Sequence, residues 1–357
     1  MKKLNRWNRL VAVIMMVALC ASILGGCGKN EATNSNSGKD EGKINVVATI
    51  FPEYDFLRQI GGDHINLTML LKPGAESHSY EPTPQDIMSI NKSDVFVYVG
   101  GDSDEWVKSI IESVDMSKKN VVTLMDCVDL VEEEVVEGMT PEKEEEEAEA
   151  AEKSEDSGKS EDAEKTEDTK GTSADSEEEE EVEYDEHVWT SPRNSKLIVQ
   201  KLCDNLCEAD SKNAEEYKKN TEAYLAKLDQ LDGEFKDVVS SAKRKEIVVG
   251  DRFPFRYFVD SYGLTYYAAF PGCSTDTEPS AETIAFLTDK VKQDGIPVVF
   301  HIELSNAKVC NSICENTGAK SELLNAVHNV SKTDFDAGIT YIDLMEHNVE
   351  VLKTALN

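Results

Sequence analysis

Basic residues are scarce in this 357-residue chain, with 37 Lys and Arg against 70 Asp and Glu and a formal charge of −33. That balance argues against nucleic acid and anionic lipid headgroups as partners, because both require clustered positive charge, and it leaves cations as natural ligands. The chain has no His-Glu-x-x-His helix and no Gly-x-Ser-x-Gly elbow, so two common hydrolase signatures are missing. Histidine is rare as well, with six residues in all, so each can be weighed individually. Eight cysteines would suggest a disulfide framework in a short secreted chain, but a chain this long has core enough without staples.

What is present begins at the N-terminus, where Lys2, Lys3, Arg6 and Arg9 precede an apolar run over residues 10–24. This is the layout of a secretory signal, and the run is too short for a comfortable membrane span. It stops at Leu24-Gly25-Gly26-Cys27, which resembles a bacterial lipobox. Cleavage there makes Cys27 the lipid-bearing first residue of the mature chain. The polar stretch 28–43 then serves as a flexible tether on the extracytoplasmic face of the cell membrane.

Residues 132–186 hold 27 acids against 5 lysines, a net of −22 that leaves only −11 for the rest of the chain. With hardly an apolar residue and like charges in blocks, this segment is expected to be a disordered insertion. It contains no histidine before His187, and two readings of it stay open: a loose collector of cations, or a solvated spacer.

On either side the pattern is regular. Strand-like runs at 44–50, 66–71, 95–99 and 121–125 alternate with helical stretches at 84–91 and 105–114, an α/β arrangement with a mainly parallel sheet. A second series follows the insertion: strands at 246–250, 265–270, 297–302 and 321–327, and helices at 256–262, 281–294 and 306–316. Thr83, Pro84 and Asp86 read as an N-cap, a first-turn proline and a first-turn acid, and Gly318 fits a helix C-terminus. Between the two series, apolar residues from Tyr217 to Val239 recur at three- and four-residue spacing. They predict one rigid helix over 213–242, about 45 Å long. The expected organisation is therefore an N-terminal lobe at 44–131 completed by 187–212, the connecting helix, and a C-terminal lobe at 243–357. Cys203 with Cys207, and Cys310 with Cys314, are each four apart on a predicted helix face and are expected to be small core residues rather than zinc ligands.

Two histidines occupy constrained loops. His78 lies between Pro73-Gly74 and Glu81-Pro82-Thr83-Pro84, in a connection from a strand to a helix, where α/β sheets present ligand-binding groups. His187 stands in Glu186-His187-Val188-Trp189, where the chain turns apolar again before a helix. These two segments resemble the metal-binding motifs of the zinc and manganese solute-binding lipoproteins of ABC importers, the cluster A-I or ZnuA-like family. The likeness covers nearly the whole mature chain.

The resemblance implies two four-stranded α/β lobes, a long connecting helix and a buried interlobe site built from two side chains of each lobe. His78 and His187 match the first two ligand positions directly. The third position falls within one residue of Asp251, in Gly250-Asp251-Arg252-Phe253, and the fourth within a residue of His328, in Ala326-Val327-His328-Asn329. His301 is an alternative ligand, and Glu303 is expected beside the site, orienting a histidine. Trp189 is expected to pack and so fix the loop. His64 and His347 receive no role. Three imidazoles and one carboxylate suit Zn²⁺, whereas more oxygen would have pointed to Mn²⁺. The implied function is a non-enzymatic, monomeric receptor that captures Zn²⁺ and delivers it to the membrane subunits of an ABC permease. A manganese-specific member of the same family is one alternative, a zinc-dependent extracellular hydrolase another, and cell adhesion would be an addition to transport.

Overall fold

The computed structural model describes residues 42–113, 116, 119–139, 183–274 and 279–357. The signal, Cys27 and the tether up to residue 41, and most of the acidic segment, lie outside the described residues. Among those that are described, no helix is long and apolar enough to cross a membrane.

The first sheet contains β1 (Ile44–Ala48), β2 (Ile65–Met69), β3 (Val95–Tyr98) and β4 (Asn120–Thr123), in the order β2-β1-β3-β4 and parallel throughout. The second contains β5 (Glu246–Arg252), β6 (Thr265–Phe270), β7 (Val298–His301) and β8 (Lys320–Leu323), in the equivalent order β6-β5-β7-β8, again all parallel. The central strands read as unbroken apolar runs, such as Val46-Val47-Ala48 and Val298-Val299-Phe300, because helices cover both faces of a parallel sheet. In the first lobe these are α1 (Phe51–Gly61), α2 (Pro84–Lys92) and α3 (Glu105–Ser113). The expected α/β class and the repeated pattern both hold. The second edge strand ends at Leu323, four residues earlier than the apolar run suggested, since the chain turns there toward the cleft.

Helix α4 (Pro192–Ala209) leads into the spine, α5 (Ala214–Ser240). The predicted face is the buried one: Tyr217, Tyr224, Leu228, Leu231, Phe235, Val238 and Val239 all face the core. At its start the Asn220 side chain donates to the Ile60 carbonyl in the first lobe at 3.0 Å. Near its end Phe235 packs on Phe258 of α6 (Arg256–Tyr262), ring centroids 4.9 Å apart, in the second lobe. That lobe is completed by α7 (Ala281–Asp294), α8 (Lys308–Thr317), α9 (Lys332–Ala337) and α10 (Tyr341–Ala355). Full capping boxes, Thr83 with Asp86 and Thr340 with Asp343, start α2 and α10, and each such cap stabilises its helix by about 1 kcal/mol.

The lobes are also tied directly. Backbone N–H groups of Phe51 and Gly74 donate to the carbonyls of His328 and Val330 at 3.2 and 2.8 Å. The Asn329 amide donates to the Lys72 and Ala75 carbonyls at 2.8 and 2.9 Å. Such ties leave room for small closure only, as the helical connector implied.

The acidic segment is narrower in the fold than the charge pattern suggested. Glu132 pairs with Tyr184 in an antiparallel bridge, Met139 is buried, and Asp185 and Glu186 are almost wholly inside. The acids at its ends find N–H donors in the second lobe and in neighbouring loops, which composition cannot reveal. The Cys273 N–H, for instance, donates to the Glu133 carboxylate at 3.2 Å. The six cysteines among the described residues are free; Cys203 and Cys310 are buried, with Cys207 and Cys314 at the margin, so the core reading stands.

Candidate metal centre

Three imidazoles meet where the carboxyl ends of the two sheets face each other, the position at which open α/β sheets present ligand sites. His78, His187 and His328 each offer a ring nitrogen within 4.8 Å of the others, the only such His, Cys, Asp or Glu group among the described residues. Their ring centroids are 4.9 to 5.6 Å apart.

Each ring is aimed by a different device. The loop after β2 turns at Lys72–Ala75 and again at Ser77–Tyr80, and the Asn329 amide straps the first turn from the opposite lobe. This brings the His78 Nδ1 to 2.8 Å from the Ser103 Oγ, in the loop after β3. Ser103 is held in turn, its N–H donating to the Glu186 Oε1 at 2.8 Å. Gly101, at φ +73°, lets these loops meet, because a Cβ there would sit 2.5 Å from the Glu186 Cγ.

His187 is fully buried. Asp185 clamps it twice, accepting from its backbone N–H at 2.8 Å and from its Nδ1 at 3.1 Å. The next residues form one tight turn before Pro192 opens α4. Within that turn Trp189 donates its indole N–H to the Ala326 carbonyl at 2.8 Å, and its ring lies 5.5 Å from both His187 and His328. Trp189 thus fixes the loop, as expected, and also joins it to the other lobe.

His328 follows a strained residue. Val327 has φ +66°, a left-handed conformation that costs a β-branched side chain about 1–3 kcal/mol. The turn persists because it wraps one carboxylate: Glu303 accepts from the Ala326 N–H at 2.7 Å and the His328 N–H at 2.8 Å, then from the His328 Nδ1 at 3.1 Å. Glu303 therefore has the orienting position that the sequence suggested.

With every Nδ1 engaged, each ring presents its Nε2, and these three Nε2 atoms are buried without a partner. Buried polar atoms are almost always satisfied, so three converging exceptions mark a place for a ligand. A cavity of about 20 Å³ lies among the three rings, lined also by Ile50 and Trp189, room for a single ion or water. Tetrahedral zinc, with Zn–N of 2.0–2.1 Å, needs ligand nitrogens roughly 3.3 Å apart, so little closure is required.

The protonation states suit this use. Burial pushes His78 and His328 below the ordinary imidazole range, assisted by their cationic neighbours, including Arg252, which leaves both as neutral donors. Burial is the largest single influence on His187 and acts against charging it, but Asp185, Glu186 and Glu133 together outweigh it and the net shift is upward. Behind the rings, burial raises the Glu53 and Glu186 carboxyls and lifts Asp104 to about 7. A dication would relieve this crowded negative charge.

Two predicted site residues do not join the cluster. Asp251 sits at the end of β5 beside a second cavity, its Oδ1 accepting the Arg252 N–H at 3.0 Å and its Oδ2 buried without a partner. It lines that cavity together with His78 but is not among the side chains whose ligand atoms lie within 4.8 Å of one another. His301 belongs to β7, paired with Leu323, its Nδ1 donates to the Ile302 carbonyl at 3.1 Å, and it is not among the three clustered imidazoles. Two orienting residues were missed. Asp185 was visible in principle as an acid two residues before a candidate ligand, whereas nothing local marks Ser103.

Residues 46–355 match the family described as zinc-uptake complex component A, periplasmic, or ZnuA. The chain is 31% identical over 352 residues to the high-affinity zinc uptake system protein ZnuA of Bacillus subtilis, covering 99% of this chain and 98% of that one. It is 32% identical to the zinc-binding lipoprotein AdcA of Streptococcus pneumoniae over 95% of this chain, and spans 60% of that longer relative. Among solved structures, the Zn(II)-bound ZnuA-like domain of S. pneumoniae AdcA superposes with a TM-score of 0.67 at 28% identity, covering 88% of this chain and 99% of that domain. The metal-dependent lipoprotein YcdH of B. subtilis gives 0.68 at 29% identity, covering 88% and 100%.

Proposed function

Since the chain belongs to the ZnuA family of zinc-uptake components, we propose that His78, His187 and His328 hold the Zn²⁺ that it captures outside the cytoplasm for an ABC importer. It is a binding receptor and not an enzyme, and zinc is its ligand rather than manganese. The observation that carries the ligand assignment is the set of three buried, unpartnered Nε2 atoms facing one small cavity. An all-nitrogen set favours Zn²⁺ over the oxygen-seeking Mn²⁺. The metal is cargo, so the site must both hold and release it.

Release is built into His187. Its pKa is raised, so in the metal-free chain it keeps its proton to a pH above the ordinary imidazole value, while His78 and His328 are already neutral there. Zinc must displace that one proton. Affinity is therefore full above the raised His187 range and declines as pH falls through it, by about tenfold per pH unit. Competition titrations against a zinc chelator from pH 8 to 5 should give one zinc per chain and a limiting slope near one proton. A flat profile would contradict His187 as a ligand, and preference for Mn²⁺ in the same titration would contradict the zinc assignment.

We also propose that Cys27 carries the lipid that holds the receptor at the membrane, as a monomer, beside its permease. The family contains relatives named as lipoproteins. Metabolic labelling with palmitate should mark the wild-type chain, and Cys27→Ala should lose the label; a labelled variant would refute the anchor.

A further inference from the structure

His78 is a wall shared by two spaces. On one side is the 20 Å³ pocket of the three imidazoles; on the other is a cavity of about 290 Å³ lined by Glu76, Asp251, Arg252, Asn306 and Lys308 among others. That volume is at the lower end of ordinary small-molecule sites, about 300–1,000 Å³, and suits a molecule of a few heavy atoms with its water.

Three features of this cavity ask for a ligand. Three imidazoles leave four-coordinate zinc one donor short, and no further His, Cys, Asp or Glu among the described residues reaches the cluster. Arg252 stands next to the site with its guanidinium only partly engaged: one arm meets Glu76 at 3.1 Å and another donates to the Ser274 carbonyl at 3.2 Å. A guanidinium has five N–H donors in a planar fork made for carboxylates, so donors remain. One residue away, the Asp251 Oδ2 is buried with no hydrogen bond, although a buried carboxylate oxygen normally accepts one. A cation beside a dication's site is unfavourable by itself, which makes an anion the natural third party.

We propose that this cavity binds a free α-amino acid together with the metal, the amino acid's carboxylate completing the zinc coordination against Arg252 and its ammonium donating to the Asp251 Oδ2. The two charges of a zwitterion match two adjacent residues of opposite sign. A simple carboxylate would leave Asp251 unsatisfied, and water would leave the remaining Arg252 donors, beyond those on Glu76 and Ser274, without a carboxylate. The carboxylate is already ionised and the ammonium keeps its proton, so no proton moves on binding. This reading rests on the zinc site proposed above.

Calorimetry of the purified, zinc-loaded protein with L-alanine tests it, using acetate as the half-molecule and cobalt-substituted protein as a spectroscopic reporter. One L-alanine per chain is expected, with at least tenfold weaker binding to metal-free protein and a change in the cobalt d–d bands. Arg252→Gln and Asp251→Asn should each weaken L-alanine at least tenfold while still holding one zinc per chain, which also shows that they fold. No binding of L-alanine to protein that holds one zinc overturns this inference alone. Acetate acting as strongly as L-alanine, or loss of zinc in either variant, also overturns it. A wild-type chain that takes up no zinc overturns the function proposed above.

Discussion

His328→Ala is expected to weaken zinc binding by about a thousandfold, the largest change any single replacement should make at this site. Removing a residue that only orients a metal ligand typically costs 10- to 100-fold, and removing a ligand from a set of three costs more. His328 is the one imidazole of the cluster contributed by the second lobe, so its loss would also remove the proposed grip on the metal across the cleft. The backbone has no reason to collapse, since Glu303 still accepts the N–H groups of Ala326 and residue 328. Competition titration of the purified protein is the measurement, with His301→Ala as the control. The His301 variant should bind within a factor of about three of wild type, because that ring is turned to the Ile302 carbonyl. Equal losses in the two variants would return His301 to the site and remove the assignment of His328.

Trp189→Ala should have the largest effect on the fold. The side chain is 2% exposed and among the largest in the core, and truncating a buried tryptophan costs about 3–5 kcal/mol. The loss of its N–H also strands the Ala326 carbonyl, and a stranded buried acceptor costs about 1–3 kcal/mol, partly overlapping the first figure. Trp189→Phe separates the two effects, keeping an aromatic body and losing only the donor, so it should cost roughly 1–3 kcal/mol. Urea unfolding of the metal-free protein measures both. Zinc affinity should fall in both variants too, because the indole packs beside His187 and His328 and links the turn of one to the turn of the other. An alanine variant as stable as wild type would mean that the interlobe link contributes little.

The secondary structure was legible because its signals are local. The buried face of α5 appears in the spacing from Tyr217 to Val239, and the start of α2 is announced by Thr83, Pro84 and Asp86. His78 and His187 were legible for a similar reason: each stands in a short segment whose prolines, or whose change from charged to apolar, already constrain the backbone. The first helix, Phe51–Gly61, was not anticipated, since it begins on an apolar run continuous with β1.

Beyond that range the sequence was silent or misleading. Asp251 is the right kind of residue near the right place, but a register irregularity in β5 between Val249 and Arg252 accompanies its placement at the larger cavity, which it lines with His78. Glu132 and Glu186 look like parts of one solvated acidic block, yet one is in a β-bridge and the other is buried against Ser103.

By itself, then, the sequence determined the two α/β halves, the helical spine between them and two of the three imidazoles, because hydrophobic period, caps and loop composition act over a few residues. Only the tertiary structure decided that His328, which the resemblance placed within a residue, meets the other two rings, and which nitrogen each ring presents. Those outcomes depend on hydrogen bonds such as Ser103 to His78, 25 residues apart, and Glu303 to His328, also 25 apart, and on two lobes brought edge to edge by contacts such as Trp189 to Ala326, 137 apart. No local pattern carries the geometry of groups so far separated along the chain.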